Sequence, residues 1–85
     1  LEQDPFKADV EAKQGQIAQV QAQLKNAGLT LDRATQLLKS AAGTQATYDN
    51  ALAVHESQQA QLLSAQAQLR QSEIQPRLHG NSLAD

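Results

Sequence analysis

The chain has 85 residues, a formal charge of −2 and no cysteine, so it is one domain at most and no disulfide can staple it. Its charges are mixed in sign, and its aromatic residues are one Phe and one Tyr. That combination excludes the basic, aromatic-interleaved surface that nucleic acids require. No apolar run approaches the ~18 residues of a membrane span, and no secretory signal is legible.

Apolar residues make up 40% of the chain, with alanine the largest share, and fifteen residues are glutamine. Alanine buries little area, so any core is thin at roughly 25 cal/mol per Å². Ala, Gln, Leu, Lys and Glu favour helix over strand. The composition therefore points to long helices or a coiled coil.

In chain order, Asp4-Pro5-Phe6 reads as a helix start, with Asp4 as the cap and Pro5 at the first helical position. Val10, Ile17, Leu24, Leu31 and Leu38 then recur every seven residues, and Phe6, Val20, Ala27, Ala34 and Ala41 fill the complementary positions. This is an a/d seam. Lys13 interrupts it and is expected to snorkel out. Gly15 and Gly28 each weaken the helix by about 1 kcal/mol relative to Ala, and are read as points of bending or close approach.

Gly43 is read as the stop of this first helix. Thr44 is read as the N-cap of a second, with Thr47 at the place where a capping box has Glu or Gln. A connector this short makes the two helices antiparallel neighbours. The second helix is predicted to carry two apolar stripes. Tyr48, Ala51, His55, Leu62, Ala65 and Leu69 form one, taken as the inner seam. Ala53, Ala60, Leu63, Ala67 and Ile74 form the other, nearly opposite and free for lateral contacts between copies. Pro76 and Gly80 are expected to break the helix.

The expected fold is all-α, a two-helix antiparallel coiled-coil hairpin over residues 5–74. Helix one covers about 5–41 and helix two about 45–74. Residues 1–4 are expected to be a remnant of a preceding strand, and residues 75–85 a flexible tail.

No catalytic, cofactor-binding or metal-binding residues are identified, and no enzyme activity is expected. There is no Gly-rich phosphate loop, and neither His55 nor His79 has triad or metal-ligand spacing. His55 lies on a Leu/Ala stripe and reads as a seam histidine. Asp9, Glu11, Asp49 and Glu56 read as first-turn or solvated-face charges. More distinctive is the connector region, where Leu29 and Leu37 fall outside the seam of helix one.

From Asp4-Pro5-Phe6-Lys7-Ala8 through Ile74 the chain resembles the α-helical hairpin of periplasmic adaptor proteins, the membrane fusion proteins of the HlyD type. Within that family it looks most like the adaptors of RND-type multidrug efflux pumps. The family's tip motif is Arg, Leu four residues later, and Ser seven after that. Here those places hold Arg33, Leu37 and Thr44. Gln45-Ala-Thr-Tyr48-Asp49-Asn-Ala51 resembles the family's usual opening of helix two.

The resemblance implies a periplasmic adaptor that bridges an inner-membrane transporter to a TolC-like outer-membrane channel. The transporter is held by domains outside this segment. The tip would dock the channel through Arg33, Leu37 and Thr44, and hairpins would self-associate through Ala53, Ala60, Leu63 and Ala67. Two other readings stand beside it: the same hairpin in a type I secretion adaptor, and a generic coiled-coil oligomerisation module.

Overall fold

The structure is a computed structural model that describes the backbone over residues 3–84 and the side chains over 5–74. Two helices, α1 (Gln3–Lys39) and α2 (Gln45–Ala84), fold back on each other as an all-α hairpin. The rod measures 65 × 23 × 12 Å. Its smallest dimension is one helix diameter, ~10–12 Å, so the molecule is a single layer with no third element covering either face.

The sevenfold pattern decides what faces inward. On α1 the half-buried or buried positions run through Val10, Lys13, Ile17, Val20, Leu24, Ala27, Leu31, Ala34 and Leu38. On α2 they run through Tyr48, Ala51, His55, Gln58, Leu62, Ala65 and Leu69. The inner seam of α2 is thus the Tyr48-to-Leu69 stripe. Only Ala27, Ala34, Ala51 and Ala65 are buried outright among the described residues. The leucines between them keep an exposed flank because a two-helix rod has nothing to cover it.

Two polar residues sit in this seam. Lys13 reaches out to Asp9, one turn back, with Nζ 3.4 Å from Oδ1. Gln58 turns inward, and its Oε1 is buried with no hydrogen-bond partner. His55 fills the space left by Gly28: a Cβ on that glycine would stand 3.7 Å from His55 Cδ2. This contact sets the level of one helix against the other. Gly15 faces open space, so close approach explains Gly28 alone.

The element ends differ from the sequence reading. α1 begins at Gln3, so Asp4 and Pro5 lie inside its first turn. Proline is tolerated there because none of the first four N–H groups has an intrahelical partner. Phe6, assigned to the seam, is 40% exposed near the open end. Ala41 is exposed in the connector, since α1 stops at Lys39. α2 does not end near Ile74 but continues in backbone terms through Pro76 and Gly80 to Ala84. One proline and one glycine cost a helix about 3 and 1 kcal/mol, which weakens it without obliging it to stop. Leu1, Glu2 and Asp85, assigned to the terminal remnants, lie outside the described residues.

Candidate functional site: the hairpin tip

The chain reverses between Lys39 and Gln45, and the carbonyl of Leu37 organises the reversal. It accepts the N–H of Ala42 at 2.8 Å, the N–H of Gly43 at 3.0 Å and the hydroxyl of Ser40 at 3.1 Å. The N–H of Ala41 donates to the Leu38 carbonyl at 3.1 Å. Together these bonds make a Schellman stop with its left-handed residue at Ala41, whose φ is 62°.

Gly43 is therefore not the left-handed residue. A Cβ there would lie 3.0 Å from Leu37 Cβ and 3.3 Å from the Leu37 carbonyl carbon. The glycine lets the chain press against α1; the conformational stop occurs two residues earlier. The reason is geometric. The left-handed step must come directly after α1 for the last carbonyls to be closed by the turn.

Across the connector, Thr44 caps α2. Its Oγ1 accepts the N–H of Thr47 at 3.1 Å, and its own hydroxyl donates to Thr47 Oγ1 at 2.8 Å. Thr47 thus answers the cap through its own hydroxyl, which bonds the Thr44 side chain and not the Thr44 backbone N–H that a capping-box Glu or Gln takes. Gln45 Nε2 donates to Asp49 Oδ1 at 2.9 Å and braces the same turn. Lys39 places a cation in the last turn of α1, where the helix dipole favours one.

Arg33 and Leu37 stand one helical turn apart and both are exposed, Leu37 by 41%. Among the described residues Arg33 has no ion pair. Leu37 is divided in function: its backbone holds the turn together while its side chain faces water. Thr44 is also exposed, but the cap already uses its proton and one lone pair, leaving only an acceptor. The three motif residues are thus gathered at one end of the rod, with Thr44 the most committed to structure. Ala53, Ala60, Leu63 and Ala67 are all exposed along the outside of α2, beyond the turn itself.

Sequence reasoning missed Ala41 and the Leu37 carbonyl. An Ala-Ala-Gly run carries no signal that the first alanine adopts the left-handed conformation. Among the described residues no group of acids or histidines could hold a metal ion, and no helix is long and apolar enough to cross a membrane.

No curated protein and no solved structure matches the chain. The family model described as "RND MFP, alpha-helical hairpin domain" matches residues 9–77, which takes in most of both helices and the whole tip. The chain belongs to the family of α-helical hairpin domains of RND membrane fusion proteins.

Proposed function

We propose that this hairpin is the channel-docking arm of a periplasmic adaptor in a tripartite efflux assembly. Its tip would engage the periplasmic helical end of a TolC-like outer-membrane channel, while the parent protein's other domains hold the inner-membrane transporter. The observation that carries this reading is an exposed Arg33–Leu37 pair seated on a turn fixed by hydrogen bonds. A planar guanidinium without an internal partner suits carbonyl or carboxylate acceptors on the channel. The Leu37 side chain is a knob for a groove between channel helices. Thr44 contributes as an acceptor for a donor on the partner. Family membership supports the adaptor role, and multidrug export is the cargo class favoured by the resemblance to RND adaptors.

The test uses the full adaptor in cells. Leu37→Ala keeps the carbonyl that builds the turn and removes only the knob. Arg33→Ala removes only the exposed cation. Each is expected to abolish channel-dependent drug resistance with adaptor levels unchanged. Full resistance in both variants would refute tip docking and favour a generic coiled coil, in which seam substitutions alone would matter.

A further inference from the structure

The shaft is not uniform along its length. With Gly28 against His55, antiparallel packing pairs the seam positions level by level. Toward the open end, Ile17 and Val20 lie level with Ala65 and Leu62; toward the tip, Leu31 and Ala34 lie level with Ala51 and Tyr48. Each set is an apolar block. Between the blocks are two levels of another kind. Leu24 is level with Gln58 and Ala27 with His55, so α2 brings two successive polar side chains to the seam.

Three choices in this layer each give up stability. Gln58 Oε1 is buried with no hydrogen-bond partner, and an unsatisfied buried acceptor is costly. Gly28 stands inside a 37-residue helix, where glycine is a poor helix former. Sterics do not demand it: an alanine Cβ would meet His55 Cδ2 at 3.7 Å and Nε2 at 3.8 Å, which are ordinary contact distances. At the level of His55, α1 supplies only Ala27 and Gly28, so little apolar area is removed from water there. Proteins break several local rules at one place chiefly where function needs it.

We infer that this layer is a joint: the hairpin bends there, between a base block and a tip block that each stay packed. Bending breaks no hydrogen bond between the helices, since the side-chain bonds of the described residues all stay within one helix or its cap. Glycine lets α1 deform with no side chain in the way. Opening the layer also hydrates the Gln58 amide oxygen, which gains the hydrogen bond that the straight form lacks. Bent and straight forms are therefore close in free energy, as a hinge requires. In the adaptor reading the joint lets the docking end tilt against the base while the turn at Leu37 stays closed. The joint itself stands without that reading.

The test uses the 85-residue chain with no channel present, so it is independent of tip docking. In native hydrogen exchange, the backbone amides of 24–28 and 55–58 should exchange about tenfold or more faster than those of the two blocks. The double variant Gly28→Ala/Gln58→Leu should slow exchange in the layer by about ten- to hundredfold. Gly15→Ala makes the same helix change where a Cβ would meet nothing within 4 Å, and should leave the layer as fast as before. If Gly15→Ala slows it equally, the layer opens only by global unfolding and the inference fails. Bending is read separately. The chain has no cysteine, so spin labels at Gln14→Cys and Gln36→Cys, both exposed, report the span across the joint alone. Their distance distribution should be broad in the parent and narrow in the double variant. Equal widths in the two overturn the hinge.

Discussion

The tip and the shaft of this hairpin are held by different physics. At the tip, five residues reverse the chain, and its strength comes from hydrogen bonds: three into the Leu37 carbonyl and a reciprocal pair at Thr44. Along the shaft, no side-chain hydrogen bond joins α1 to α2 among the described residues. Four buried alanines and the half-buried residues flanking them do all the joining. A rigid end is thus mounted on a rod of low contact depth. The end is suited to recognition, where ordering a flexible segment on binding would cost affinity.

The largest expected effect tests the shaft. Ala51→Asp puts an unpaired charge at one of the four buried positions and should cost about 3 kcal/mol or more. Thermal melting followed by circular dichroism should show the hairpin lost or nearly so. A melting point like the parent's would mean that the seam is not what holds the helices together.

Gly43→Ala tests the tip. Its Cβ would press on Leu37 Cβ and on backbone, neither of which can swing away, and a loss of about 1–3 kcal/mol is expected. Gln58→Leu should act in the opposite direction. It replaces a buried, unpartnered oxygen with an apolar group, for a gain of about 1–2 kcal/mol in urea unfolding. If Gln58→Leu is instead destabilising, the amide has a partner in solution and the shaft is not purely apolar.

Thr44→Ala removes the cap of α2 and should cost about 1 kcal/mol. Hydrogen exchange would localise the loss to the first turn of α2 and leave the far shaft unchanged. Ala41→Gly is the smallest change. It relieves a left-handed alanine and should stabilise by about 0.5–1 kcal/mol. The pair of glycine substitutions sharpens the comparison: one alanine-to-glycine change stabilises, and the reverse change two residues on destabilises.

Much of this was legible in the chain. The sevenfold recurrence from Val10 to Leu38 gave α1 and its inner face. Thr44 was recognisable as a cap because a hydroxyl before a helix-forming run has few other uses. The chain offered two apolar stripes on α2, and the Tyr48-to-Leu69 stripe taken as the inner one is the one that packs on α1. The helix ends were less legible. Pro76 and Gly80 are weakening residues that do not by themselves end a helix, and Gly43 attracted the stop assignment through its type alone.

The sequence by itself determined the fold class and the residues gathered at the tip of the hairpin. Heptad spacing, cap chemistry and a short connector are local properties, readable without knowing what lies opposite. Tertiary structure decided the rest. Whether Ala41 or Gly43 takes the left-handed turn depends on which carbonyls of α1 need closing. The register that places Gly28 against His55 depends on two helices meeting.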